Sequence, residues 1–351
     1  PMFARLEPIT FPKLMARTGA STGTPRYARG VATDLLLLLT GLILLLFGGD
    51  ALVRGAAALA YRLGISPLVV GLTVVSFGTS APELAVNLTA ALRGSGELSF
   101  GNVIGSNLAN IGLIVGLTAL LRPLGVQTVV VWRELPMMVL ATAFALVFAL
   151  DSALSGDASS RYDRGDGIVL LLLLSVFLYY TAREVFRQRE SRRGRVGLAV
   201  GSWSVPRSLL VAATGLVVLV VGAQLTVKGG VGIARAAGIS EAVIGLTLIA
   251  VGTSLPELAA SLVAAWRGQA EIAIGNVIGS NIFNLLLVLG ATATVRPVPI
   301  PAGGVLDLAA LCVLSVLLWG VCVNQGRRII RVEGALLLTI YLTYLSQRLL
   351  V

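Results

Sequence analysis

The sequence has no histidine, and only 13% of its residues are charged. Ordinary soluble domains carry about 25% charged residues, so this chain has too few charges to cover a surface that faces water. The absence of imidazole excludes histidine-ligated haem, histidine-containing zinc sites and histidine proton relays. The two cysteines, Cys312 and Cys322, lie on one predicted helix, too far apart along it to form a disulfide. Neither a nucleophile–base pair nor a nucleotide-binding loop is recognisable, so we do not expect an enzyme.

Hydrophobic residues dominate instead: they make up 56% of the chain, and the mean hydropathy is +0.91. Long apolar runs include Leu35–Phe47 and Ile168–Tyr180. A bilayer core about 30 Å thick needs roughly 20 apolar residues in a helix, and a helix satisfies its own backbone hydrogen bonds there. We therefore predict an all-α integral membrane protein with ten transmembrane helices. Their predicted ranges are 34–60, 66–92, 98–121, 128–150, 167–186, 206–228, 240–266, 272–295, 302–323 and 330–350.

The net charge of +10 is concentrated in arginines near the middle of the chain. Loops rich in Lys and Arg stay in the cytoplasm, so we place the basic loop 183–205 there and interpret it as a topology signal. This orientation puts both termini outside the cytoplasm, in a multi-pass protein of the plasma or inner cell membrane. The basic tail, residues 1–30, does not suit that side, and we expect it to be disordered or processed. The clustered arginines are Arg183, Arg187, Arg189, Arg192, Arg193, Arg195 and Arg207.

Two segments of the chain are close copies of each other, offset by 174 residues. Residues 64–123 and 238–297 align without a gap and share 34 identical positions. Each copy belongs to a half with five predicted spans, a first repeat over 31–182 and a second over 206–351. Because five is odd, the second half enters the membrane from the opposite side, which makes the pair an inverted repeat. Inverted repeats with interrupted helices at the midplane are typical of secondary transporters.

The repeated phrases place oxygen-bearing side chains inside apolar helices. GTSAPE at 78–83 and GTSLPE at 252–257 each contain a proline, which removes a backbone donor and interrupts the helix. Thr79 and Glu83 share a helix face. So do Ser106, in the second repeated phrase GNVIGSN, and Asn110, three residues beyond that phrase. Hard oxygen ligands with flexible geometry suit Ca²⁺ and alkali ions. The sequence therefore predicts a cation site within the membrane.

Structural roles can explain most of these features one at a time. GNVIG is also a GxxxG packing motif, hydroxyls in membrane helices commonly bond their own backbone, and a proline can simply kink a helix. Glu83 and Glu257 are different, because a carboxylate at the membrane centre costs about 2.5–3.5 kcal/mol. Two such acids at equivalent positions are better explained by a function.

The two phrases resemble the alpha-repeats of the sodium/calcium exchanger family, within the calcium/cation antiporter group, and the compact chain resembles a prokaryotic member. The resemblance implies antiport of Na⁺ and Ca²⁺ by alternating access, in a monomer that needs no cofactor, nucleic acid or protein partner. It also implies a set of ion ligands. These are Thr79, Ser80, Glu83, Ser106 and Asn110 in the first half, Thr253, Ser254, Glu257, Ser280 and Asn284 in the second, and the carbonyls near Ser76 and Ala250.

The charge of this implied site favours exchange. Because Asn110 and Asn284 are neutral, the two glutamates supply the negative charge. One Ca²⁺ neutralises it, and the three Na⁺ that the family resemblance implies exceed it. The two ion loads then compete for the same carboxylates, and the exchange is electrogenic. Two alternatives remain open at this point. One is a H⁺/Ca²⁺ antiporter whose glutamates take up protons, and the other is a channel or a non-transporting scaffold.

Overall fold

The computed structural model describes residues 30–155, 160–192, 203–239, 252–323 and 326–350. These residues are almost entirely helical, and each predicted span overlaps one described helix. We number the helices α1 to α10 in chain order. They are Val31–Leu63, Pro67–Leu92, Gly96–Leu121, 130–155, Arg164–Arg192, Val205–Ala236, Leu255–Trp266, Ala270–Val295, Gly304–Val323 and Arg331–Leu350.

Eight of the described helices are long and apolar enough to cross a membrane. The described part of α7 is shorter, because residues 240–251 of its predicted span lie outside the described residues. Helix α10 has 20 residues, but charged side chains at both ends lower its apolar content. The all-helical membrane fold is therefore confirmed, and the ten-span arrangement is consistent with these helices.

Several spans contain a turn of π-helix, in which backbone hydrogen bonds join residues five apart instead of four. Two of these turns, Asn110–Val115 in α3 and Asn284–Leu289 in α8, occupy equivalent positions of the two repeats. Each begins at an asparagine of the predicted ion site. Such π-turns are frequent at functional sites, because they shift the side chains that follow.

Helices α1 and α6 form a closely packed antiparallel pair along a glycine seam. A Cβ on Gly48 would lie 2.6 Å from the Leu219 nitrogen and 2.8 Å from the Gly215 carbonyl oxygen. The two backbones therefore touch, and only glycine fits between them. The seam consists of glycines spaced seven residues apart on each helix and equivalent between the repeats. They are Gly41, Gly48 and Gly55 on α1, and Gly215, Gly222 and Gly229 on α6.

Two small antiparallel strand pairs join the halves at opposite ends of the bundle. Strand β1, Leu124–Gly125, pairs with β4, Arg328–Ile329, while β2, Arg161–Tyr162, pairs with β3, Val298–Pro299. Strands β1 and β3 are equivalent in the repeat alignment, yet each pairs with the opposite half. This reciprocal pairing is the pattern of a two-fold relation between the halves. We call the two ends of the bundle the β1/β4 face and the β2/β3 face.

The same reciprocity recurs at the ends of α2 and α7. Arg122, which follows α3, donates to the carbonyl oxygens of Ala265 and Trp266 at 3.2 and 2.9 Å. Its counterpart Arg296, which follows α8, donates to the carbonyl oxygens of residues 91 and 92, both at 3.4 Å. The last carbonyls of a helix lack intrahelical partners and attract cations. Each half therefore caps a helix of the other half.

Helix α5 ends at the β1/β4 face, and its last turns carry Arg187 and Arg189. Gln188 joins this helix to the start of α2, because its Oε1 accepts from the Ser66 nitrogen at 2.8 Å. The helix continues to Arg192, so the first ten residues of the predicted loop 183–205 are helical. Ion pairing within the helix explains this extension, since Arg187 lies 2.9 Å from Glu184. Residues 193–202 are outside the described part of the chain.

Candidate functional site

The two predicted glutamates are buried within the bundle. Glu83 is 1% exposed and Glu257 is 0% exposed, so both side chains face protein rather than lipid. They are also near each other, because Ser80 of α2, one turn before Glu83, donates to Glu257 Oε1 at 3.5 Å. The carboxylate of the second repeat therefore contacts the acid-bearing helix of the first.

The backbone presents the two acids differently. In the first repeat the α-helix Ser76–Leu92 is continuous through Pro82, and Glu83 lies within it. In the second repeat Thr253 and Ser254 form a turn, after which the α-helix Leu255–Trp266 begins. Proline is tolerated in the first turn of a helix, and a helix N-terminus stabilises nearby negative charge. Glu257 lies in that first turn, so the local fold supports its carboxylate.

The phrase GNVIGSN in α3 and α8 supplies hydrogen-bond partners across the repeats. Thr79 donates to Asn276 Oδ1 at 3.2 Å, and its counterpart Thr253 donates to Asn102 Oδ1 at 3.0 Å. Each threonine hydroxyl also lies 3.5 Å from a serine hydroxyl of the same partner helix, Ser280 or Ser106. The two halves therefore contribute matched contacts to one central site.

Further amides complete the centre of the bundle. Asn110 donates to Asn281 Oδ1 at 3.2 Å, and Asn107 donates to the Asn281 carbonyl oxygen at 3.5 Å. Asn284 is fully buried, and neither its side-chain oxygen nor its nitrogen has a hydrogen-bond partner among the described residues. Buried amides of this kind are usually satisfied, so this one is available to a ligand.

Several other buried oxygens around the two acids also lack a hydrogen-bond partner among the described residues. A buried oxygen acceptor without a donor is costly, and a cation that binds several such oxygens removes that cost. Within the described ranges no group of three or more His, Cys, Asp or Glu side chains converges, so neutral oxygens surround only two acids. The oxygens without a hydrogen-bond partner include Glu83 Oε1 and Oε2, Glu257 Oε2, Ser254 Oγ, Asn110 Oδ1 and Asn284 Oδ1.

The predicted ligands that the structure describes lie in this one region. Ser76 is buried, but its hydroxyl donates to the Leu72 carbonyl at 2.7 Å, while its own carbonyl oxygen accepts from Thr79 at 3.3 Å. Backbone bonding therefore accounts for the Ser76 hydroxyl, and only its carbonyl remains a candidate ligand. The predicted carbonyl near Ala250 lies outside the described residues.

The packing role of the glycines is realised in the second copy of GNVIG. A Cβ on Gly275 would lie 2.7 Å from the Leu68 carbonyl oxygen, and one on Gly279 would lie 2.7 Å from that of Leu72. Close packing of α2 on α8 follows. Sequence reasoning missed the asparagines that bond the threonines, Asn102 and Asn276. They belong to the same repeated phrase, so their repetition was the available signal.

Comparisons with known proteins agree with this arrangement. A family model described as sodium/calcium exchanger protein matches residues 33–183 and 207–350. The sodium/calcium exchanger MaX1 of Methanosarcina acetivorans is 31% identical over 344 residues, which cover 90% of this chain and 98% of MaX1. The inner membrane protein YrbG of Escherichia coli is 37% identical over 316 residues, which cover 88% of this chain and 95% of YrbG.

A solved structure of the sodium-calcium exchanger NCX_Mj superimposes on this protein with a TM-score of 0.76 and 34% sequence identity. The superposition covers 90% of this chain and 99% of that one. The family model and the full-length relatives thus cover both repeats and the described helices between them. The chain belongs to the sodium/calcium exchanger family.

Proposed function

We propose that this protein is a secondary active antiporter that exchanges Na⁺ for Ca²⁺ by alternating access. One observation carries the proposal: two buried carboxylates, one from each inverted half, lie together among buried oxygens that lack hydrogen-bond donors. Such oxygens suit Ca²⁺, which takes about 6–8 oxygen ligands, and also suit Na⁺. The names of MaX1 and NCX_Mj as sodium/calcium exchangers support the same pair of ions.

The ligands in this proposal come from both repeats, and two of them carry charge. Glu83 and Glu257 bind the ion directly, and because both are needed for either load, Na⁺ and Ca²⁺ exclude each other. Exchange of one Ca²⁺ for any number of Na⁺ other than two moves net charge across the membrane. The remaining proposed ligands are Thr79, Ser80, Ser106, Asn110, Thr253, Ser254, Ser280, Asn284 and the carbonyls near Ser76 and Ala250.

The β1/β4 face is the cytoplasmic one in this proposal, since Arg187, Arg189, Arg327 and Arg328 belong to the segments at that end. The β2/β3 face and both chain termini are then extracytoplasmic, in a multi-pass protein of the cell membrane. Both repeats are present in one chain, so a monomer contains the whole site.

The test is Ca²⁺ uptake by proteoliposomes that contain the purified protein and experience one ion gradient at a time. We expect outward Na⁺ gradients to drive Ca²⁺ uptake, and K⁺ gradients of the same size to drive none. Uptake should also respond to an imposed membrane potential, because the exchange moves net charge. Uptake that follows a pH gradient and ignores Na⁺ would contradict the proposal and identify protons as the driving ion.

A further inference from the structure

Helix α1 leans on α7 near the β1/β4 face, and an ion pair joins them there. A Cβ on Gly49 would lie 3.2 Å from the Val263 side chain, so the two helices are in contact at this level. The next residue of α1, Asp50, pairs with Arg267 at the end of α7. The same carboxylate lies 2.8 Å from Arg54, one turn further along α1. The pair is partly shielded, since the Asp50 side chain is 23% exposed.

The other half of the molecule has the cations of this cluster but lacks its acid. The offset of 174 residues relates Arg54 to Lys228 and Arg267 to Arg93, whereas Asp50 corresponds to the neutral Gln224. An inverted copy of the ion pair is therefore impossible with this sequence.

The packing differs between the halves at the same place. The face of α2 that corresponds to the α1-covered face of α7 borders a cavity of about 420 Å³. In the repeat alignment, the cavity residues Ala85, Thr89 and Arg93 correspond to Ala259, Val263 and Arg267. Helix α1 therefore covers this face of α7, whereas α6 leaves the equivalent face of α2 open. The complete lining is Ala85, Val86, Thr89, Ala90, Arg93, Ser95 and Leu98.

Inverted repeats reach the opposite access state by exchanging conformations between the halves. In that state α6 covers α2, and Gln224 takes the position next to Arg93 that Asp50 now has next to Arg267. We propose that the Asp50–Arg267 ion pair is a one-sided latch, which favours the state with α1 packed on α7 over its mirror state. The latch rests on the alternating access of the proposed function, and it would make the exchanger intrinsically asymmetric.

The size of the effect follows from the exposure of the pair. Partly exposed ion pairs change an equilibrium by a modest factor, so we expect about a threefold to fivefold effect on the ratio of the two states. Such a factor leaves both states accessible during transport. It also lies within the range that distance measurements on a two-state population resolve.

The experiment measures pulsed-EPR distances in two mirrored label pairs, in the full chain with Cys312→Ala and Cys322→Ala. One pair is at Arg62 and Gln269, which reports on α1 against α7. The other is at the equivalent positions Ala236 and Ser95, which reports on α6 against α2. In the wild-type sequence, the first pair should report the packed arrangement and the second pair the open one.

Asp50→Asn should raise the ratio of the mirrored state to the present state about threefold to fivefold in both label pairs. Gln224→Asp, which supplies the missing acid, should move both populations in the same direction, and the neutral control Gln224→Asn should move neither. The proposal is overturned if Asp50→Asn and Gln224→Asp both leave the distances at their wild-type distributions. It is also overturned if Gln224→Asn acts like Gln224→Asp.

These distances need no ion flux, so the latch and the proposed function fail separately. Expected shifts in a protein that takes up no Ca²⁺ under a Na⁺ gradient would contradict the exchange while supporting the latch. Normal exchange with unchanged distances would support the proposed function and contradict the latch.

Discussion

The two halves of this protein have nearly the same sequence in the helices of the proposed ion site, but the two copies fold differently. GTSAPE lies in a continuous helix, and both carboxylate oxygens of Glu83 lack hydrogen-bond partners among the described residues. GTSLPE contains a turn at Thr253 and Ser254, and Glu257 accepts a hydrogen bond from Ser80. The two phrases differ in sequence only at Ala81 and Leu255, yet their backbones differ. One sequence pattern therefore supports two conformations, as alternating access requires.

The scaffold around the site repeats several contacts in both halves. The glycine seam of α1 and α6, the reciprocal strand pairs and the two arginine caps all occur once in each half. The halves differ where α1 covers α7 and α6 leaves α2 open. The comparison separates a fixed framework from the contacts that distinguish the two access states.

The sharpest test of this comparison removes one acid at a time. We expect Glu83→Gln and Glu257→Gln each to reduce Na⁺-driven Ca²⁺ uptake by about 100-fold or more, because a buried cation loses a charged partner. Equal losses would mean that uptake depends equally on both acids despite their different surroundings. The measurement is the initial uptake rate in proteoliposomes.

Glu97→Gln is the matched control for this pair, since Glu97 is an exposed acid at the start of α3. It should retain uptake close to that of the wild type. Normal uptake by both buried-acid variants would contradict the assignment of the site.

A second test addresses the framework. Gly48→Leu should destabilise the protein by about 3 kcal/mol or more, because the new side chain would meet the backbone of Leu219 and Gly215 at less than 3 Å. The loss should appear as a lower unfolding temperature and a smaller monodisperse fraction in detergent. Gly320→Leu is the control, since no described atom lies within 4 Å of a Cβ there. Equal stability of the two variants would contradict the seam.

The smallest expected effect compares the two arginine caps. Arg122→Gln should lower the free energy of unfolding by about 1–2 kcal/mol, the size of hydrogen bonds from a charged donor. Arg296→Gln should cost less, because its bonds to backbone oxygens are 3.4 Å long rather than 2.9–3.2 Å. Thermal unfolding of both variants checks the order, with the exposed Arg164→Gln as control. The reverse order would contradict a link between these hydrogen-bond lengths and cap strength.

Much of this arrangement could be predicted because it depends on local sequence patterns. Hydropathy predicts the spans, and the duplicated segment predicts two opposed halves with one acid each. The asparagine partners of the threonines were missed, because a hydrogen bond between α2 and α8 depends on how two distant helices pack. The end of α5 was also not predicted. Hydropathy places the end of this span at residue 186, whereas the helix, which contains the Glu184–Arg187 ion pair, continues to Arg192.

The access state is the part that no local pattern can provide. The two similar sequence phrases do not predict which copy forms the turn and which stays helical. The packing of the two phrases on α1 and α6 differs, and the charge difference between Asp50 and Gln224 is visible only after the repeats are aligned.

The reciprocal caps of Arg122 and Arg296 carry a consequence for how such a protein is assembled. A single half inserted on its own would leave the end of its acid-bearing helix without a cap, because the donor belongs to the other half. Two copies of one half would satisfy each other only if they entered the bilayer in opposite directions. Because one polypeptide contains both orientations, each half is synthesised together with the half that caps it, whatever the level of expression.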